Sequence, residues 1–187
     1  MITNLTIAKS ELILGGQKSG KSRRAELIAR HWLTHGTDHR AVIIATAQPW
    51  DAEMRQRIER HQADRAERVP GMITVEEPLA LAQTIDKYSS PETLLVVDCL
   101  TLWLTNCLMP IDAAPESAQV LPLLLAITKS TGPVVMVGNE IGMGVIPMGS
   151  EVRAFVDALG KLNQDVASTC QRVTLMVAGL PLTLKDV

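Results

Sequence analysis

The octapeptide Gly15-Gly16-Gln17-Lys18-Ser19-Gly20-Lys21-Ser22 has the pattern GxxxxGK[ST]. Residue types at this spacing bind polyphosphate. Glycines let successive backbone N–H groups turn inward around an anion, and a helix starting at the lysine adds the positive end of its dipole. Lys21 would reach the β- and γ-phosphates of a nucleoside triphosphate, and the Ser22 hydroxyl would ligate Mg2+. A chance match is the bland alternative. Against it stand the apolar run Leu12-Ile13-Leu14 before the motif and the helical pattern Ala25, Ile28, Ala29, Trp32 after it, the context a phosphate-binding loop requires. Such a site also needs a carboxylate near the metal, usually at the end of a neighbouring strand. Asp98, closing Leu94-Leu95-Val96-Val97, supplies one; it could instead cap the helix that follows.

His61 is the second candidate. Met54, Ile58, His61 and Arg65 fall on one side of a helix, while Glu53, Arg55, Arg57, Glu59 and Arg60 crowd the other faces. A histidine on an inward stripe is more often a hydrogen-bonded structural residue than a catalyst. Yet this helix follows the strand Ala41–Ala45 and the turn Thr46–Pro49, and α/β folds bind ligands beyond the carboxyl ends of their strands. There an imidazole, ordinarily titrating at about 6.5, could attack phosphorus as a neutral nucleophile. His31, His35 and His39 stand at zinc-like spacing, but Gly36 ends their helix and no Cys or Glu completes a set. They read as surface residues.

Positioning these groups requires alternating elements. Unbroken apolar runs at Glu11–Leu14, Ala41–Ala45, Met72–Val75, Leu94–Val97, Val134–Val137 and Val173–Val177 predict strands covered on both faces. Helical spacing occupies Lys21–His35, Asp51–Arg65, Leu79–Tyr88, Leu100–Met109, Ser117–Lys129 and Glu151–Ser168. The pattern predicts one doubly wound, mostly parallel α/β domain over 1–187, of P-loop type, with helices on both faces. Pro110–Pro115 is the expected surface loop.

Composition narrows the partners. The 187 residues are 47% hydrophobic, which excludes a wholly disordered chain. Eighteen Lys+Arg against 20 Asp+Glu, with 3% aromatics, give neither the cationic footprint nor the stacking platforms of a nucleic-acid binder. Apolar runs are too short to span a bilayer and no secretory signal is visible, so the cytoplasm is expected. Cys99, Cys107 and Cys170 form no CxxC pair, and the first two read as small hydrophobes. On residues alone, a small-molecule kinase with a structural His61 and a nucleotide-dependent switch protein remain rivals.

Almost the whole chain resembles the bifunctional adenosylcobinamide kinase/adenosylcobinamide-phosphate guanylyltransferases of cobalamin biosynthesis. The resemblance rests on Gly15–Glu26, Ile44-Ala-Thr-Ala-Gln48, Glu53-Met-Arg-Gln-Arg-Ile-Glu-Arg-His61, Thr74–Pro78, Val97-Asp-Cys-Leu-Thr-Leu-Trp-Leu-Thr-Asn106, Asn139-Glu-Ile-Gly-Met-Gly-Val-Ile-Pro147 and Gly160–Gln164. It implies phosphorylation of adenosylcobinamide by ATP or GTP, then transfer of GMP from GTP to that phosphate through a GMP–histidine intermediate, with release of pyrophosphate. His61 matches the family's histidine. The implied nucleotide contacts are Gly15, Gly16, Gln17, Lys18, Ser19, Gly20, Lys21 and Ser22, then Thr46, Ala47 and Gln48, then Gln62, Ala63 and Asp64, with Glu76 and Asp98. Lys21 is implied as catalytic, Ser22 and Asp98 as Mg2+ ligands, and a homotrimer as the assembly. Met148-Gly149 and Val156 depart from the family pattern, away from the P-loop and His61. Asn139-Glu140 reads either as a substrate-loop element or as a turn with a satisfied polar pair.

Overall fold

The computed structural model describes residues 5–110, 117–145 and 147–187; most of the loop expected at Pro110–Pro115 lies outside them. Seven strands form one sheet: β1 (Ser10–Gly15), β2 (Arg40–Ala45), β3 (Ile73–Glu76), β4 (Thr93–Asp98), β5 (Val134–Val137), β6 (Arg172–Val177) and β7 (Leu180–Asp186). Their order is β3-β2-β4-β5-β1-β6-β7. All neighbours are parallel except β6 and β7. Strand alternation sends Leu12, Val42, Ile44, Leu95 and Val97 to one face and Ile13, Ile43, Val96 and Val135 to the other. Each side chain so buried contributes about 1.5–3 kcal/mol.

On the first face lie α3 (Leu81–Tyr88), α4 (Leu100–Leu108), α5 (Val120–Lys129) and α6 (Ser150–Thr169), with the fully buried Trp103 among their contacts. The second face carries α1 (Lys21–Leu33), which buries Ala25, Ile28 and Ala29 at the spacing of one helical stripe. Beside it runs α2 (Ala52–Arg68). Its start is fixed by Asp51, whose carboxylate accepts from the Met54 N–H at 2.7 Å, and its last turn carries Arg65 and Arg68 against the negative dipole end.

The expected doubly wound sheet is present, with two differences. α3 and α5 begin two and three residues later than their apolar spacing suggests. At α3 the Glu77 carboxylate takes the Leu79 and Ala80 N–H groups in a turn instead. The second difference is β7, which the run-based reading misses. It returns from β6 through Ala178 and Gly179, both at positive φ (52° and 81°), the geometry of a tight two-residue hairpin. Its leucines Leu180, Leu182 and Leu184 alternate and stay exposed at the sheet edge, so no unbroken apolar run marks it.

Candidate active site

The P-loop joins β1 to α1 and is braced from two sides. Gly20 caps α1 in the left-handed region at φ 102°, where a Cβ would stand 3.3 Å from the Gly179 Cα. The Gly179 N–H donates to the Ser19 carbonyl at 3.0 Å, so the β6–β7 hairpin buttresses the phosphate loop. Glycine is required at Gly20 for both reasons. Lys21 is buried and its Nζ donates to the Gly16 carbonyl at 2.6 Å. Burial pushes its ammonium below the ordinary lysine range; the Asp98 carboxylate opposes this and the Arg57 guanidinium adds to it. A polyphosphate would supply the counter-charge that this ammonium lacks.

A cleft of about 1990 Å3 opens over the carboxyl ends of the strands, between the P-loop and α2. It is lined by Gln17, Lys18, Ser19, Gly20, Lys21, Ser22, Ala47, His61, Gln62, Asp64, Glu76 and Asp98 among the expected residues. The stripe Met54, Ile58, His61 and Arg65 is the protein-facing side of α2, half-buried to buried. Gly15 lies beneath the loop, against the Met176 carbonyl. Gly16 is the acceptor for Lys21. Ala63 is exposed on the outer side of α2, and the Gln48 carboxamide accepts from the Trp50 indole at 3.1 Å. None of these four lines the cleft.

Thr46 does not line it either. It is fully buried, and its polar groups are all engaged: its hydroxyl donates to the Cys99 carbonyl at 2.7 Å and accepts from the Cys99 N–H at 2.8 Å. Its own N–H donates to the Asp98 carbonyl, and its carbonyl accepts from Asn106 Nδ2. Thr46 therefore fixes the backbone that presents Asp98. Asn106 closes the motif Val97–Asn106, and its Nδ2 ties together the turn after β2 and the Pro78 carbonyl before α3, at 2.8 and 3.0 Å. Asn106→Ala leaves both carbonyls without this donor, and we expect unfolding free energy to fall by about 2–4 kcal/mol in urea titrations.

Asp98 ends β4, but β5 separates β4 from β1, so the carboxylate comes from the next strand but one. It does not cap α4, whose N-terminus has no side-chain cap. Its carboxylate makes no hydrogen bond among the described residues, and it shares the cleft with the Ser22 hydroxyl. Two hard oxygen donors facing a phosphate loop fit Mg2+. Asn139 lines the cleft as well, whereas Glu140 takes the Gly142 N–H, closing its own turn. Of the remaining histidines, His39 stacks on Trp32 at 3.8 Å and a His35 ring nitrogen meets the His31 carbonyl, while His31 itself stands on the α1 side of the cleft. Among the described residues no cluster of three metal-ligating side chains occurs. Burial raises the Cys99 and Cys170 thiols to about 11 and about 12, which makes them inert packing groups.

A family model described as cobinamide kinase / cobinamide phosphate guanyltransferase (CobU) matches residues 11–184. The chain belongs to this family. CobU-family relatives include the bifunctional adenosylcobalamin biosynthesis protein CobP of Pseudomonas aeruginosa, 45% identical over 94% of this chain and 96% of the relative. The corresponding CobU of Escherichia coli is 33% identical over 93% and 98%, and that of Salmonella typhimurium 32% over the same shares. Among solved structures, the flagellar accessory protein FlaH of Methanocaldococcus jannaschii superposes with a TM-score of 0.59 at 10% identity, covering 97% of this chain and 80% of that one. At that identity the likeness concerns the fold alone. A CobU-family member is accordingly an enzyme of cobalamin biosynthesis with kinase and guanylyltransferase activities, built on a P-loop α/β fold.

Proposed function

We propose that this chain phosphorylates the aminopropanol hydroxyl of adenosylcobinamide with ATP or GTP, and then transfers GMP from GTP to that phosphate through a GMP–His61 intermediate. The observation that carries the reading is that one cleft is lined by both the P-loop with Lys21 and the His61 side of α2. In the kinase step the substrate hydroxyl attacks the γ-phosphorus in line, and the nucleoside diphosphate leaves with the electron pair. Lys21 holds the β- and γ-oxygens, and the P-loop N–H groups fix their orientation. Ser22 and Asp98 would hold Mg2+, which when bound neutralises charge on the polyphosphate. In the second reaction His61 attacks the α-phosphorus and pyrophosphate leaves. The phosphate of adenosylcobinamide phosphate then displaces His61, giving adenosylcobinamide-GDP. Splitting the transfer keeps two bulky anions from having to meet directly.

Nucleotide contacts are proposed at the P-loop residues, Ala47, Gln62, Asp64, Glu76 and Asp98, with Thr46 and Gln48 supporting the base-side turn. The α2 helix is held loosely: Met54 and Ile58 are only half-buried and belong to neither packed core. We expect it to close on the P-loop when GTP binds. Distance probes at Glu53→Cys and Arg23→Cys, both exposed positions, should move together on adding GTP; an unchanged distance removes the motion.

The corrinoid is assigned to the loop after β5. It leaves the sheet at Asn139 on the cleft wall and exposes Met143, Val145 and Met148, the last two at 97%, an aliphatic surface for a large apolar ring. Met143→Asp with Val145→Asp should raise KM for adenosylcobinamide about tenfold or more while leaving GTP binding unaltered. Self-association into a homotrimer is part of the proposal, supported by the exposed leucine face of the edge strand β7. No helix among the described residues is long and apolar enough to cross a membrane; a cytoplasmic location completes the reading. Incubation of adenosylcobinamide with γ-labelled ATP tests it: labelled corrinoid phosphate, converted by GTP to the GDP derivative and pyrophosphate, is expected. Absence of any corrinoid product with either nucleotide would contradict it.

A further inference from the structure

Building on the kinase reading above, we propose that Asn139 is a catalytic residue of the kinase step, its carboxamide spanning the γ-phosphoryl group and the hydroxyl that attacks it. β5 lies between β1, which ends in the phosphate loop, and β4, which ends at Asp98. Val137 pairs with Ile13 on one side and with Asp98 on the other. Beyond Val137 the chain keeps alongside β1: the Gly138 and Glu140 N–H groups donate to the Ile13 and Gly15 carbonyls at 3.0 and 3.1 Å. Asn139 is thereby carried out between the phosphate loop and Asp98, and it lines the cleft together with Lys21, Asp98 and Val137. The loop assigned to the corrinoid begins at this residue, so the acceptor hydroxyl enters beside it.

The Asn139 peptide is held at both ends. Its N–H donates to the Thr101 hydroxyl at 2.9 Å, and its carbonyl accepts from Asn163 Nδ2 at 3.1 Å. Thr101 stands on α4 and Asn163, 4% exposed, on α6, so the stretches Val97–Asn106 and Gly160–Gln164 meet at one peptide. The side chain, by contrast, is half-buried and makes no hydrogen bond among the described residues. A fixed backbone presenting an unengaged amide is pre-organised for a substrate contact. A carboxamide carries donors and an acceptor without charge, whereas an ammonium cannot accept and a carboxylate would repel the polyphosphate. Nδ2 donates to a γ-oxygen while Oδ1 accepts from the substrate hydroxyl, turning its lone pair toward phosphorus. The new O–P bond forms as the bond from the γ-phosphorus to its bridging oxygen breaks, and the nucleoside diphosphate leaves with that pair. The hydroxyl proton passes to an oxygen of the transferred phosphoryl group, and Asn139 neither gains nor loses one. Thr101 and Asn163 are positioning residues, acting through the Asn139 peptide.

The test follows both half-reactions on the full chain: steady-state phosphorylation of adenosylcobinamide by ATP, and single-turnover formation of the GMP–protein adduct from α-labelled GTP. Asn139→Ala should lower kcat of the kinase step at least about 30-fold, leave KM for adenosylcobinamide within about threefold, and slow adduct formation less than about threefold. A smaller loss of kcat, a change in KM alone, or an equal loss of both half-reactions overturns the proposal. Thr101→Val should lower kinase kcat about tenfold in the parent but less than about twofold in Asn139→Ala, because it acts through that side chain; equal losses in both backgrounds overturn the proposal. If Asn139→Ala does not melt cooperatively, Asn139→Asp carries the test. It keeps shape and acceptor but exchanges the donor for charge, so its kinase rate relative to the parent should rise as pH falls and the new carboxyl takes up a proton. A ratio that stays flat with pH overturns the proposal. A parent that phosphorylates no adenosylcobinamide refutes the kinase reading and this inference with it, whereas a parent matched by Asn139→Ala refutes this inference alone.

Discussion

His61→Ala is expected to lose guanylyl transfer to adenosylcobinamide phosphate by at least about 10^3-fold while still phosphorylating adenosylcobinamide. The asymmetry follows from where the histidine stands. His61 stands on α2 and lines the cleft opposite the P-loop, the proposed seat of the β- and γ-phosphates, and is not part of that loop. Phosphoryl transfer from the γ-position needs the P-loop, Lys21 and an incoming hydroxyl, none of which α2 supplies. Transfer from the α-position by way of a covalent intermediate has no nucleophile without the imidazole. Because His61 is half-buried and makes no hydrogen bond among the described residues, its truncation should change unfolding free energy by no more than about 1 kcal/mol. Separate assays of γ-label and α-label transfer to the corrinoid check the split. Equal loss of both activities would make His61 a structural residue of the cleft.

Lys21→Met is the substitution with the broadest expected effect. Both half-reactions should fall by about 10^2–10^4-fold, the equivalent of roughly 3–5 kcal/mol of transition-state stabilisation. The fold should not suffer in the same way. Burial pushes the Lys21 ammonium below its ordinary value, so the folded state holds this charge less readily than the unfolded chain does. A methionine of similar length removes a desolvated charge and keeps the packing, so denaturant midpoints at neutral pH should hold or rise. Activity and stability moving in opposite directions would mark Lys21 as a residue kept for phosphate rather than for folding. A variant that loses both would place Lys21 in the core architecture instead.

Much of this arrangement is legible in the residues, and the reasons differ by element. The strands β1, β2, β4 and β5 each carry an unbroken apolar run (Leu12–Leu14, Ala41–Ala45, Leu94–Val97 and Val134–Val137) because helices cover both their faces, and such runs stand out without any structure. The P-loop is legible because its chemistry is local, eight consecutive residues around one anion. The His61 stripe is legible because helical periodicity places Met54, Ile58, His61 and Arg65 together, whichever way the helix docks. Long-range partnership is where the residues fall silent. The family resemblance implies Thr46 as a nucleotide contact, and nothing in the spacing shows that its hydroxyl is engaged by Cys99, 53 positions later. The spacing of Asp98 shows that it ends a strand but not that β5 lies between that strand and β1. The edge strand β7 hides because exposed alternating leucines resemble a loop when only unbroken runs are sought. That Arg65 is buried with no acceptor for its Nε among the described residues could not be read at all, since a periodic pattern shows which side a residue faces and not what awaits it there.

The most direct test of the account is a protein-bound label. The chain is incubated with GTP labelled at the α-phosphate, quenched, and digested for peptide mapping. An acid-labile, base-stable adduct of one GMP is expected on the peptide containing His61, absent from His61→Ala and released as adenosylcobinamide-GDP when adenosylcobinamide phosphate is added. A protein that turns over GTP and the corrinoid phosphate with no such adduct, or with the adduct on another residue, would contradict it.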